Sequence, residues 1–219
     1  MGDWDKYWAK KQNIQNHLYD RISVLYRELI LKPYLKKYIS KYFDEKSIIL
    51  HAGCGSGQVE EEIADFFSII GMDISKNALT LYKQCHIEPN LILGDISSIG
   101  IKNESIDGIY NLGVLEHFSE EEIHKILLEF NRVLKSKGTA ILFVPPEYGS
   151  TVVFFKCVHF FLNSILKKNV YFHPPEPSRI RSKNCVKRMI SKSGFKLEEF
   201  NFSFNDLFTY MIVVIKKID

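Results

Sequence analysis

The chain has 219 residues, 46% of them apolar and 25% charged, and a net charge of +3. That length buries a substantial core as one domain, and the small charge excess argues against a nucleic-acid partner. Four widely spaced cysteines (Cys54, Cys85, Cys157, Cys185) argue against a zinc site or disulfide framework and point to a reducing, cytoplasmic setting.

The N-terminus opens Met1-Gly2-Asp3-Trp4-Asp5-Lys6, without the apolar core of a secretory signal. Residues 3–43 read as helical, with Ile14, Leu18, Ile22, Leu25, Leu29 and Ile30 at helix spacing and Pro33 marking a break or fresh start. Strands are then predicted at 47–52, 68–73, 90–94, 106–111 and 139–145, alternating with helices at 57–66, 75–84 and 119–135. The last of these helices opens on Ser119 with three glutamates in its first turn, and Gly138 suits a left-handed cap after its end. A helix over 182–193, ended by Gly194, leads to a hairpin of strands 195–204 and 209–217. Strands alternating with helices predict a doubly wound parallel sheet.

The run Leu50-His51-Ala52-Gly53-Cys54-Gly55-Ser56-Gly57 places three glycines at alternate positions directly after the first strand. Such a turn admits a ligand at close range, at the sheet edge where nucleotide-like ligands bind. The spacing is tighter than the Gly-x-Gly-x-x-Gly of dinucleotide sites. Asp73 ends the second strand, where a carboxylate can accept from both hydroxyls of a ribose or cap the helix starting near Ser75. Gly94-Asp95-Ile96 follows the third strand, and Asp107 to Phe118 covers the fourth strand and its exit.

Taken in order, these segments resemble motif I, the second-strand acid, the Gly-Asp turn and motif IV of the class I S-adenosylmethionine-dependent methyltransferases. The likeness is to their small-molecule, type 11-like branch and is best over residues 45–145. It implies a Rossmann-like α/β fold: a seven-stranded, mostly parallel sheet with an antiparallel last strand and helices on both faces. One domain is expected, with a helical cap over 1–43, a donor-binding core over 44–145, a lid or acceptor-side insertion over 146–181, and a C-terminal helix and hairpin over 182–219. The implied cofactor is S-adenosyl-L-methionine. The resemblance places it against His51, Ala52, Gly53, Cys54 and Gly55, against Asp73 and Ile74, and against Asn111 and Leu112. Asp95 and Ile96 would take the adenine, although Gly-Asp is also ordinary turn chemistry. Tyr7, with Trp4 and Trp8, either closes over the methionine half of the donor or packs the first helix.

Methyl transfer to a hydroxyl needs a proton acceptor, and His117, just past motif IV, is the first candidate, with His173 the second. The alternative for His117 is a backbone-bonding residue at the start of a helix. Two departures stand out. His51 occupies the place where the family often has an acid that helps to hold the donor's amino group. Gly113 occupies the place of the first acid in the Glu-x-x-Glu-His metal set of quinone-biosynthesis enzymes, so no metal is expected. The Asn-Pro-Pro-Tyr motif of DNA-adenine methyltransferases is absent from the fourth strand.

The apolar segment 151–166 is shorter than the roughly 20 residues of a transmembrane helix. It reads as a buried or dimer-forming helix, as the wall of an acceptor pocket, or as a membrane-surface anchor. The expected function is methylation of a small, apolar or amphipathic acceptor on oxygen or nitrogen. A non-catalytic donor-binding protein is the alternative, and an NAD-dependent oxidoreductase is disfavoured by the glycine spacing.

Overall fold

The computed structural model describes residues 2–13, 24–147, 149, 178 and 182–219. The predicted helix turns at Ile14, Leu18 and Ile22, the segment 151–166 and His173 lie outside the described residues. The chain opens with α1 (Gly2–Asn13), and a π-type turn over Arg27–Leu31 leads into α2 (Lys32–Tyr42). Pro33 lies in the first turn of α2, where its missing N–H has no intrahelical acceptor to lose. Tyr34, Leu35, Tyr38 and Ile39 form the buried face of α2.

The core elements follow as β1 (Ile48–Ala52), β2 (Ser68–Asp73), α3 (Lys76–Cys85), β3 (Asn90–Leu93), β4 (Ile106–Leu112), α4 (Glu120–Val133) and β5 (Leu134–Val144). The chain finishes with α5 (Lys183–Ile190), β6 (Phe195–Asn201) and β7 (Met211–Lys217). The seven strands lie in the order β3-β2-β1-β4-β5-β7-β6, with β7 antiparallel to both of its neighbours and the other pairings parallel. This is the expected fold class. Strand order reverses between β1 and β4, so the crevice beyond their carboxyl ends is where an open α/β sheet takes a ligand.

Each face of the sheet has its own apolar layer. Ile123, Ile126, Leu127 and Phe130 of α4 pack with Leu50, Ala52 and Leu142 on one face. On the other, Leu35 and Ile39 of α2 pack with Ile49, Tyr110 and Phe143. Consecutive residues of β1 therefore serve opposite layers, as the two-residue repeat of a strand requires. Ser119 and Glu122 form a reciprocal capping box at the start of α4, as its sequence predicts.

Two local expectations are corrected. Residues 57–66 form successive tight turns instead of a helix, with N–H bonds from Glu60 to Gly57 (3.2 Å), Ile63 to Glu60 (2.9 Å) and Phe66 to Ile63 (3.1 Å). Val59, Ile63 and Phe67 are buried, and Glu60 is drawn inward to side chains on β1 and β4, a tertiary demand that overrides helix propensity. Gly138 does not cap α4 in the left-handed region. The helix ends at Val133, β5 begins at once, and Lys137 takes the positive φ of +59°. Gly138 is required for a different reason: a Cβ there would lie 2.9 Å from the Lys135 carbonyl oxygen.

Candidate active site

The glycine turn is fastened to the neighbouring strand before any ligand is considered. Gly53 and Cys54 both donate their N–H groups to the Met72 carbonyl, at 2.8 and 2.9 Å. Gly53 (φ +79°) and Gly55 (φ +55°) adopt the left-handed backbone that favours glycine. A Cβ on Gly53 would lie 2.6 Å from Val114, and one on Gly55 would lie 2.8 Å from the Trp8 ring.

Asp73 locks this turn to the next one. Its Oδ2 accepts from Gly55 N at 2.9 Å and its Oδ1 from Ser75 N at 2.8 Å. Burial pushes its carboxyl above the usual range, against the pull of those two N–H bonds. The cap of α3 is Ser75, whose hydroxyl accepts from Ala78 N, so Asp73 is not the helix cap. Ile74 is half-buried between them. Asp95 accepts from Ser97 N at 2.8 Å through Oδ1, which shapes the turn after β3, and Ile96 beside it is buried.

Asn111 ties the ends of β4 and β1 together across the switch point, its Nδ2 donating to the Ala52 carbonyl at 2.6 Å. Its buried Oδ1 has no hydrogen-bond partner among the described residues. Leu112 is half-buried at the strand end, and Gly113 turns the chain with φ +67°. A Cβ on Gly113 would stand 3.5 Å from both the Glu116 Oε1 and the Tyr210 hydroxyl, so an acid at this position would extend against a carboxylate. Among the described residues no group of three or more His, Cys, Asp or Glu side chains is arranged to hold a metal ion.

α1 lies across this edge. Asp5 Oδ1 accepts from Ser75 Oγ (2.7 Å) and Asn77 N (3.1 Å), and Asn77 Nδ2 donates back to the Asp5 carbonyl at 3.1 Å. With the helix fixed there, Trp4, Tyr7 and Trp8 form an edge-to-face row with centroid spacings of 5.7 and 5.5 Å. One end of the row is Trp8 against Gly55. The other is Trp4 against the His117 ring, at 4.9 Å and 71°. His117 itself closes a single 3₁₀ turn, its N–H bonded to the Val114 carbonyl. The row thus bridges the glycine turn and the exit of β4.

His51 lies apart from that surface, buried on the α2 side of the sheet. Its Nδ1 hydrogen-bonds to Glu60 Oε1, which also accepts from the Tyr110 hydroxyl at 2.5 Å. The His51 and Tyr110 rings stack at 4.2 Å and 24°. Exposure of the three residues is 2% for His51 and 0% for Glu60 and Tyr110. Burial, and after it the Glu60 carboxylate, holds the Tyr110 hydroxyl far above the usual phenol range. Burial likewise raises the Cys54 thiol, with Asp73 and Glu60 adding to the effect.

Sequence reasoning missed Asp5 and Glu60. Asp5 shares its helix with the aromatic row, which was a usable signal. Glu60 opens a run of three glutamates on a stretch that reads as solvated, and nothing local marks it as inward-facing.

A family model described as a methyltransferase domain matches residues 50–142. A curated protein of Encephalitozoon cuniculi that carries the name of a methyltransferase is 27% identical over 112 residues, 50% of this chain and 50% of that protein. The chain therefore matches about half the length of that relative. Among solved structures, an S-adenosylmethionine-dependent methyltransferase of Methanosarcina mazei is similar with a TM-score of 0.62 and 19% identity, over 83% of this chain and 97% of the other. Magnesium protoporphyrin IX methyltransferase of Synechocystis PCC 6803, solved with bound S-adenosylhomocysteine, has a TM-score of 0.66 and 16% identity, over 92% and 88%. Residues 50–142 thus match a methyltransferase domain, and the chain has the fold of the class I S-adenosylmethionine-dependent methyltransferases.

Proposed function

We propose that this chain transfers a methyl group from S-adenosylmethionine to the oxygen or nitrogen of a small, apolar or amphipathic acceptor. The observation that carries this reading is the convergence of Gly53, Gly55, Asp73 and Asn111 at the switch point, beneath the aromatic row of α1. The residues present fit the donor. Each Asp73 oxygen holds one backbone N–H and keeps a lone pair for a ribose hydroxyl. The buried Asn111 Oδ1 offers a further acceptor, and the glycines keep the turn open to close approach. Asp95 and Ile96 would receive the adenine, and Tyr7 with its neighbours would close over the methionine half.

The bound donor supplies an activated methyl group on a sulfonium. What remains for the protein is alignment, exclusion of water and removal of a proton when the acceptor is a hydroxyl. His117 stands at the exit of β4 against Trp4 and is the proposed proton acceptor. The acceptor's apolar character is supported by the turn between β6 and β7. Phe204, Leu207 and Phe208 are exposed there, and Leu207 and Phe208 take left-handed backbone angles of +56° and +55° to present them. Tyr210, which follows them, brings its hydroxyl toward Gly113. Free thiols at Cys54, Cys85 and Cys185 accord with a cytoplasmic setting. Turnover of S-adenosylmethionine against a library of small hydroxyl and amine metabolites tests the reading. Donor binding without transfer to any of them would leave a binding protein of the same fold.

A further inference from the structure

The turn between β6 and β7 is held in a strained shape, and that shape delivers one side chain. Leu207 and Phe208, neither of them glycine, stand consecutively in the left-handed region at +56° and +55°. Hydrogen bonds fix them there. Leu207 N donates to the Phe204 carbonyl (2.9 Å), Phe208 N to that of Ser203 (3.2 Å) and Thr209 N to that of Asp206 (3.2 Å). Tyr210 N donates to Oδ2 of the buried Asp206 at 2.7 Å. Backbone strain that the surroundings over-determine in this way gathers at ligand sites. Here it sets Tyr210 edge-on to Phe143, at 6.3 Å and 83°, with its hydroxyl toward Gly113 at the exit of β4. From the other side, the 3₁₀ turn over Leu115–His117 brings in the buried Glu116, whose carbonyl accepts from Ser178 N at 3.2 Å.

The point where a Gly113 Cβ would stand has Glu116 Oε1 and the Tyr210 hydroxyl as its nearest described neighbours beyond the adjoining residues, each at 3.5 Å, with Tyr210 Cε1 next at 3.9 Å. These are ordinary contact distances, so an atom fits there, and Gly113 is only half-buried. A ligand atom at that point faces two oxygens. An ionised carboxylate only accepts, and a phenol oxygen can accept as well. A nitrogen with two or three hydrogens serves both at once, a hydroxyl has a single hydrogen to give, and a carboxylate is repelled. We propose that this slot binds an amine, and that the acceptor is an apolar amine methylated on its nitrogen, with Glu116 and Tyr210 as specificity-determining residues. This narrows the function proposed above and rests on it. The alkyl part of such an amine meets the exposed Phe204, Leu207 and Phe208, where the Phe208 ring packs on Phe202 at 5.1 Å and on Phe204 at 6.0 Å. A bound ammonium gives one proton to His117, which frees the nitrogen lone pair. The N–C bond then forms as the C–S bond of the donor breaks, and the electron pair of that bond returns to sulfur.

Calorimetric titration of the full chain with n-octylamine and with n-octanol tests this, with S-adenosylhomocysteine present at saturation so that no transfer occurs. The amine is expected to bind about tenfold or more tightly than the alcohol. Glu116→Gln removes the carboxylate charge, and Tyr210→Phe removes the hydroxyl alone. Each is expected to weaken the amine about tenfold and the alcohol by about threefold at most, with S-adenosylhomocysteine affinity within about twofold of the unaltered chain. If Glu116→Gln does not fold, Tyr210→Phe decides by the same split. No preference for the amine, or no binding of it, overturns the proposal. Equal weakening of amine and alcohol by Tyr210→Phe assigns Tyr210 to packing and overturns it too, as does methyl transfer to hydroxyl compounds alone in the metabolite library. Failure of the unaltered chain to bind S-adenosylhomocysteine overturns the donor reading itself.

Discussion

Two glutamate–tyrosine networks among the described residues lie on the same side of the sheet, one half-buried and one fully buried, and they are finished differently. Between α2 and β6, Glu199 Oε1 accepts from Tyr38 at 3.2 Å, and Oε2 accepts from Lys41 at 2.6 Å and also from Tyr42. Asn201 donates to the Tyr38 hydroxyl at 2.7 Å, and Tyr34 pairs with Ser203 at 3.3 Å. Burial alone would raise the Glu199 carboxyl, but the bonds from Lys41 and Tyr42 outweigh it and leave it below the usual range. Each Glu199 oxygen is bonded and its charge is met by a cation. Under the glycine turn, Glu60 has one oxygen doubly bonded and one with no partner among the described residues, and Asn111 nearby keeps an unfilled Oδ1. A network whose task is to hold two elements together saturates itself. Asn111, at the switch point, leaves its buried Oδ1 open, an acceptor that the proposed donor would fill.

Substitutions on the two sides should therefore separate binding and turnover from stability. The largest effect is expected for His117→Ala, which should lower turnover by roughly 10²–10⁴-fold if it is the base. Donor affinity measured by calorimetry should move by no more than about twofold in that variant. Intact turnover would assign His117 to packing against Trp4. Next is Asp73→Ala, which removes a charged acceptor of two hydroxyl bonds and should cost roughly 1.5–3 kcal/mol of donor affinity. Unchanged affinity would falsify the ribose role.

On the other network, Glu199→Ala leaves Tyr38 and Tyr42 without their acceptor and should lower stability by about 1–2 kcal/mol in denaturant unfolding. Donor affinity should stay as it was, and a coupled loss of binding would dissolve the distinction between the networks. Lys41 is more than half exposed, so Lys41→Ala should cost only about 0–1 kcal/mol. The smallest effect expected is none: chelator treatment should leave donor binding and turnover intact. Activity restored by magnesium or zinc would show that residues around Gly113 do bind metal.

The same contrast explains how much was legible in the sequence. β1, β2, β3 and β4 were readable within a residue or so because apolar runs end in turn residues, and the glycine spacing located the crevice. The cap at Ser119 follows from local chemistry and is present. Features set by distant partners were not readable. The 57–66 stretch has helix-compatible spacing, but its shape depends on Glu60 meeting His51 and Tyr110 across the sheet. Gly138 looked like a helix cap because the crowding by the Lys135 carbonyl exists only once α4 runs straight into β5. Nothing local marks Asp5 as a bridging residue, because its partners Ser75 and Asn77 lie some 70 positions away. His51 was recognised as a departure from the family pattern, but its carboxylate partner lies nine positions away in a run of acids.

The central claim is that the β1–β4 crevice is built for S-adenosylmethionine. Calorimetric titration of the unaltered chain with S-adenosylmethionine and with NAD, side by side, tests it most directly. Micromolar binding of the first, on the order of −7 to −8 kcal/mol, with no heat from NAD is the predicted result. Binding of NAD instead, or of neither, would contradict it.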